Sequence, residues 1–266
     1  MTGQARAAGG FDPTDRTVPA NAAVTRFFLS SVHRQAIAAI GRGLAQGSGL
    51  VVITGEPGSG KSMLAAYLSA TLDRRRIRVA ELATGGACVD EATTFAGEPQ
   101  GARRGLLLID EVERMPLARL AAIARQAAAA AMPWLVVLFA RPDLERELAR
   151  HEQGSFGPWP MVARHRLAPV PPGEVHAFLE HRLRALGQEC WPTVNEQLCA
   201  AIATVTGGNP ASIDRLASRL VAMRRGPGCP RVELLRASGT TDVVAAGKVR
   251  RRRKRADVLT LAGGCA

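Results

Sequence analysis

At 266 residues the chain exceeds one average domain, and 47% hydrophobic with 22% charged residues is the balance of a globular protein able to bury a core. Aromatic residues make up only 4%, so that core must rest on Leu, Val, Ile and abundant Ala, a mixture that leans helical. The formal net charge of +12 is uneven: seven cations lie between Lys248 and Arg255 with no acid among them, which leaves +5 for everything else. The five cysteines (Cys88, Cys190, Cys199, Cys229 and Cys265) are scattered and odd in number. They indicate neither a disulfide framework nor a zinc site, and they suit a reducing cytosol. MTGQARAAGGFDPTDRT at the start lacks the apolar stretch of a signal peptide. Residues 117–140 are interrupted by Arg119, Arg125, Gln126 and Pro133, so they read as a helix and a buried strand, with no membrane span and a cytoplasmic location expected.

Residues 1–24 are rich in Gly, Ala, Thr and Pro and are expected to be disordered. A helix follows over 31–46, ended by Gly47. LVVIT at 50–54 is a continuous apolar run, as a parallel strand covered on both faces requires. It enters GEPGSGKS, and an amphipathic helix continues to about residue 75. A strand near 77–83 is followed by a polar segment and by LLLID at 106–110. Then come a helix over 117–131, the strand WLVVLF at 134–139, a helix over 142–151, the patch GSFGPWP and a last strand near 162–167. Strands alternating with helices imply right-handed crossovers and a parallel sheet. After PPGE the pattern changes to three helices, at 173–187, 193–206 and 210–224, without a strand between them. The predicted organisation is therefore an α/β nucleotide-binding domain over 25–170, a small all-helical lid over 171–226, and a basic, largely disordered tail over 227–266.

Gly55, Glu56, Pro57, Gly58, Ser59, Gly60, Lys61 and Ser62 fit G-x-x-x-x-G-K-[ST] at every defined position. Glycines let the backbone curl so that successive N–H groups aim at phosphate oxygens. The following helix, which begins with Lys61, Ser62 and Met63, adds the positive end of its dipole. Lys61 reaches the β- and γ-phosphates of ATP, and Ser62 offers its hydroxyl to Mg²⁺. A chance glycine loop would not be expected to sit between an apolar strand and an amphipathic helix. Gly105-Leu106-Leu107-Leu108-Ile109-Asp110-Glu111 supplies the second element. Its buried strand delivers Asp110 to the Mg²⁺ shell. Glu111, one residue on, can take the proton of the attacking water.

With these two motifs, the helical lid and its Gly-Asn-Pro turn, the sequence resembles the AAA+ ATPases. Within them it is similar to the general secretion pathway protein A ATPases and the TniB-like transposition target-selection ATPases. The likeness is carried by FFLSSVHRQAIAAIGRGL (27–44), the P-loop, LLLIDE with LVVLFARPDL (135–144), and GGNPASIDRLASRLV (207–221). It implies a five-stranded parallel sheet under a helical lid, and ATP with Mg²⁺ held between them. It also implies ATP-dependent assembly into a homo-oligomer in which a neighbour completes the site. Three places depart from the family pattern. Arg141 stands where a polar sensor is usual at the end of a strand. Ala211 occupies the usual place of the second-sensor arginine, for which Arg215 and Arg219 are the substitutes. The trans-acting arginine is expected near Trp159-Pro160, with Arg164 and Arg166 close by. A solvated surface charge is the competing reading for each of these arginines. Residues 84–104 are also short for the family.

His33 lies where the family lines its adenine pocket, though packing is the simpler reading, and His151, His165, His176 and His181 form no metal-ligand pattern. The run at 248–255 is either a solvated tail or a site for DNA or another polyanion. Three functions compete. One is an ATP switch assembling on DNA as transposition target selectors do. The second is an accessory ATPase of envelope or secretion assembly. The third is a nucleotide-gated module that binds an unidentified protein and hydrolyses weakly.

Overall fold

The computed structural model describes residues 24–83, 95, 103–144, 160–186, 196–224, 232–237, 240–245 and 258–261. Five parallel strands form one sheet: β1 (Gly49–Gly55), β2 (Ile77–Ala83), β3 (Arg104–Asp110), β4 (Trp134–Ala140) and β5 (Met161–Leu167), in the order β2-β3-β4-β1-β5. β1 and β4 are buried at every position, because both faces of a central parallel strand are covered. Alternate residues divide between two layers. Leu50, Val52, Leu107, Ile109, Val136 and Leu138 pack beneath helix α3 (Leu117–Ala129). Val51, Ile53, Leu106, Leu108, Val137 and Phe139 pack beneath α1 (Ser31–Gln46) and α2 (Lys61–Thr71). The fold class expected from the sequence, a parallel α/β sheet with helices on both faces, is the one observed.

Helix α1 is capped by Ser30, whose Oγ accepts from the His33 N–H, and it stops at Gly47 with φ 102°. Helix α2 stops four residues earlier than its apolar pattern implied. Leu72 turns extended, at φ −70° and ψ 139°, and the N–H groups of Arg76 and Ile77 fold back onto the Asp73 carbonyl at 3.0 and 2.9 Å. The helix expected at 142–151 begins at Pro142, and its later part falls outside the described residues.

The lid comprises a 3₁₀ turn (Pro172–Glu174), α4 (Val175–Ala185), α5 (Glu196–Thr206) and α6 (Pro210–Arg224). Its own core gathers Val175, Phe178, Leu179, Ile202, Ile213 and Leu216. A buried Arg182–Asp214 ion pair ties α4 to α6, and burial raises the Asp214 pKa against the pull of Arg182. Several contacts seat the lid on the sheet domain, two of them at the start of α4. Both Glu174 carboxylate oxygens accept from the Ser31 N–H, at 2.9 and 3.1 Å, and Phe28 stacks edge-on against Phe178 with ring centroids 5.2 Å apart.

The region expected as a largely disordered tail is corrected at three segments. β6 (Val232–Ala237), β7 (Thr240–Ala245) and β8 (Val258–Leu261) pair antiparallel in the order β7-β6-β8. Val, Leu and Thr dominate these short runs, and a two-residue Ser-Gly connection joins the first two, which is a hairpin signal. The basic run 248–255 and the N-terminal segment expected to be disordered, up to residue 23, lie outside the described residues. No helix among the described residues is long and apolar enough to cross a membrane.

Candidate nucleotide site

The carboxyl end of β1 opens into the loop Glu56–Gly60, which curls into the first turn of α2. Gly58 and Gly60 adopt φ +81° and +94°, a region open to glycine and strained for any other residue. The loop also leaves no room for a side chain at Gly60, where a Cβ would lie 2.7 Å from His33 Nε2. The His33 ring is buried beneath the loop, with Nδ1 2.7 Å from Ser30 Oγ and Nε2 3.3 Å from the Ser59 carbonyl. A carbonyl only accepts, so Nε2 carries the proton and Nδ1 accepts from the Ser30 hydroxyl. Burial lowers the His33 pKa, which favours this neutral form. The sequence pointed to packing or an adenine pocket for His33. The structure adds a hydrogen bond that supports the P-loop backbone.

Lys61 folds over the loop, its ammonium donating to the Gly55 carbonyl at 2.6 Å and the Glu56 carbonyl at 3.0 Å. Desolvation lowers its pKa, with Asp110, Glu113 and Glu56 pulling the other way and Arg141 adding to the lowering. Asp110 ends β3 directly across from this turn. Its carboxylate accepts from the Ser62 hydroxyl and from the Glu111 N–H, the latter at 2.9 Å. Burial raises the Asp110 pKa, and those two hydrogen bonds oppose the rise. Met63 is half-buried in the same turn of α2.

These residues fit a nucleoside triphosphate with its metal. The first N–H groups of α2 have no acceptor within the helix, and the first helical bond runs from Leu64 to the Gly60 carbonyl. Thr54 Oγ1 and Ser59 Oγ, on either side of the bend, are buried polar atoms with no partner among the described residues. Ser62 and Asp110 offer hard oxygen donors at the point where Mg²⁺ would be held. Among the described residues no group of three His, Cys, Asp or Glu could hold a metal ion.

Glu111 is the described non-glycine residue with positive φ, at φ 53° and ψ 44°. Its carboxylate pairs with Arg114 at 2.9 Å. Two residues on, Glu113 pairs with Arg141 at 3.2 Å. Arg141 thus stands at the strand end where a sensor was sought, and it faces an acid of its own chain. Arg166 also pairs inside the chain, with Glu56 of the P-loop at 3.3 Å. Arg164 lies two residues earlier on the same face of β5, opposite Val52 and exposed. Arg215 is exposed and donates to the Ser212 hydroxyl of its own helix at 3.2 Å, so it is not brought to the P-loop, and Arg219 is exposed one turn further along.

One participant was missed from sequence. The Asn209 side chain caps α6 by accepting from the Ser212 N–H at 3.2 Å, and it donates to the Pro57 carbonyl at 2.9 Å. Beside it the Ala211 N–H donates to the Gly58 carbonyl at 3.1 Å. Asn before Pro was legible as a helix cap. That its amide would reach the P-loop was not.

No protein-family model matches the sequence, and no curated protein matches it. Solved structures do. NtrX from Brucella abortus in complex with ADP shares 14% identity at a TM-score of 0.50, over 77% of this chain and 54% of that one. The Thermotoga maritima RuvB Holliday junction branch migration motor shares 19% at a TM-score of 0.47, over 73% of this chain and 63% of its own. The Walker-type ATPase of Pyrococcus abyssi shares 13% at 0.48, over 74% and 68%. The chain therefore spans a little over half of NtrX and less than two thirds of RuvB. At such identities the likeness concerns architecture alone, a five-stranded parallel sheet with the P-loop after its β1 strand and a helical lid beyond.

Proposed function

We propose that this chain is an ATP-dependent switch that binds ATP with Mg²⁺, hydrolyses it slowly and assembles with further copies of itself on DNA. The observation that carries the reading is the meeting of Ser62 and Asp110 at the first turn of α2, beside Lys61 and next to Glu111. Backbone N–H groups of the loop and of α2 take the phosphate oxygens. Lys61 exchanges its loop carbonyls for the β- and γ-phosphates. Mg²⁺, held by Ser62 and Asp110, neutralises charge on the phosphates when bound. Glu111 accepts the proton of the water that attacks the γ-phosphorus, while the bond to the ADP oxygen breaks. The Glu111–Arg114 pair favours slow basal turnover, because the carboxylate must leave the guanidinium to reach the attacking water. That same pair supports the second reading, a nucleotide-gated module that binds a protein partner and hydrolyses weakly.

Assembly is proposed because no arginine among the candidates faces the phosphate cradle without an acid partner in the chain itself. Arg141 and Arg166 are both paired. A second copy supplying an arginine such as Arg164 would raise turnover by about three to five orders of magnitude. Specific activity that stays flat with protein concentration and with added DNA would remove assembly from the proposal. For the site itself, Lys61→Ala is expected to abolish ATP binding in a calorimetric titration. Glu111→Gln is expected to keep binding and lower turnover by about two orders of magnitude. Unchanged ATP affinity in a folded Lys61→Ala variant would overturn the site.

A further inference from the structure

The sheet also gathers charge at its other end. At the end away from the P-loop, β2 and β3 begin side by side: Ile77 pairs with Arg104, Arg78 with Gly105, and the Arg103 N–H donates to the Arg76 carbonyl at 3.3 Å. This register joins two runs that lie far apart in sequence, Asp73-Arg74-Arg75-Arg76-Ile77-Arg78 and Arg103-Arg104. Among the described residues of these two runs, six guanidiniums therefore share one edge with a single acid, Asp73. Of the net +12, seven charges belong to 248–255 and five to this edge, so the remainder of the chain sums to zero. Among the described residues this edge is therefore a concentrated block of positive charge.

Structural duties account for some of these side chains. Arg74 donates to the Ser69 carbonyl at 3.0 Å and Arg104 to the Leu44 carbonyl, each closing the last turn of a helix. Arg76 pairs with Asp73 at 3.5 Å, and Arg78 lies over the Trp134 ring at 5.8 Å. The Arg74, Arg76 and Arg104 contacts use one or two of the five donors on each guanidinium. Among the described residues the Arg75 and Arg103 guanidiniums have no partner, and both residues are exposed.

We propose that this arginine edge binds the phosphate backbone of a nucleic-acid duplex, apart from both the nucleotide site and the basic run at 248–255. The chemistry favours a polyelectrolyte over a protein. Interfaces between proteins centre on exposed aromatic and apolar side chains, whereas the one tryptophan here is fully buried. Phe95 is partly buried and packs edge-on against that ring at 5.1 Å, so among the described residues the edge offers little aromatic surface to unpaired bases and a duplex fits better than a single strand. Guanidiniums match phosphate oxygens in a bidentate manner, and displaced counterions drive the binding without reading sequence.

The test uses the full chain with Arg250, Arg251, Arg252, Arg253 and Arg255 changed to Gln, so that the C-terminal run contributes little. Anisotropy titrations with a labelled 25-base-pair DNA duplex, repeated across a salt series, read the slope of log affinity against log salt. In this background Arg75→Ala with Arg103→Ala should flatten the slope by about two units, at roughly 0.9 per phosphate contact. Affinity should fall about 60-fold at 0.1 M salt and about 20-fold at 0.2 M. Arg75→Lys with Arg103→Lys should restore most of the slope, because the charge is what counts. ATP affinity should be unchanged in both double variants, and Lys61→Ala should still bind the duplex. An RNA duplex of equal length shows which duplex the edge prefers, and binding of either supports the proposal. Equal slopes with and without Arg75 and Arg103 would overturn it. So would poly-glutamate or single-stranded DNA binding as tightly as the duplex at matched charge.

Discussion

Asn209 permits a test that separates stability from communication between lid and P-loop. Its Oδ1 caps α6, and its Nδ2 holds the Pro57 carbonyl at 2.9 Å, beside the Ala211–Gly58 bond at 3.1 Å. Those two hydrogen bonds join the lid turn to the crest of the loop, so a lid that opens to release nucleotide must break them. Asn209→Ser keeps a good helix cap but is too short to reach Pro57. Since the Asn209–Pro57 bond is exposed, its loss is worth about 0.5–1 kcal/mol, the lower part of the usual range. That corresponds to about a two- to five-fold faster release of a fluorescent nucleotide analogue in stopped flow. The melting temperature should barely move, since the cap survives. Asn209→Ala loses cap and bond together. It should release as fast as the serine variant and melt about 2–4 °C lower, the shift expected for about 1 kcal/mol in a domain of this size. Release from Asn209→Ser at the parental rate would refute the coupling. Equal melting losses in both variants would show that Asn209 only builds the lid.

Two other perturbations probe the loop and the carboxylate. Arg114→Ala frees Glu111 from a pair exposed by 56% and 37%, so the pair is worth no more than about 1 kcal/mol. Steady-state phosphate release should rise by up to about five-fold, and a fall would show that Arg114 assists the reaction instead. Gly60→Ala forces an alanine to φ +94° and against His33, costing about 1–2 kcal/mol from the backbone alone. It should lower both melting temperature and ATP affinity. Adding His33→Ala should recover only the part due to the clash, so complete recovery would show that the backbone conformation carries no strain.

Legibility in the sequence followed the range of the contacts. The loop 55–62 and the strand 105–111 were readable because their chemistry is set by neighbours along the chain. The sheet was readable because continuous apolar runs have few other ways to be buried. The pairing of Glu113 with Arg141 spans 28 residues, and that of Asn209 with Pro57 spans 152, so both depend on how strands and lid come together. His33 was legible as a packing residue but not as a support for Ser59, since the helix phase needed for that is fixed by the α1 packing. Arg215 and Arg219 were candidates from spacing alone, yet the phase of α6 brings Ala211 to the loop and leaves both arginines exposed. The arginine edge escaped notice for a similar reason: two modest runs become one patch only through the β2–β3 register.

The two ends of the sheet are built on opposite electrostatic plans. Around the P-loop the named cations and acids balance: Lys61 lies beside Asp110, Arg114 with Glu111, Arg141 with Glu113, and Arg166 with Glu56. These four pairings cancel locally, so attraction at the loop comes from oriented N–H groups and a half-buried lysine, which act at contact distance. Such a site selects a small ligand by fit and is little affected by screening. The opposite end carries five uncompensated charges, a field that reaches over a Debye length of about 10 Å at 0.1 M salt and engages any dense row of phosphates. Side by side, the cradle and the cationic edge would compete for the same phosphates. Placing them at opposite ends of the strands lets the chain hold a nucleotide and a polyanion together, with the rigid sheet between them.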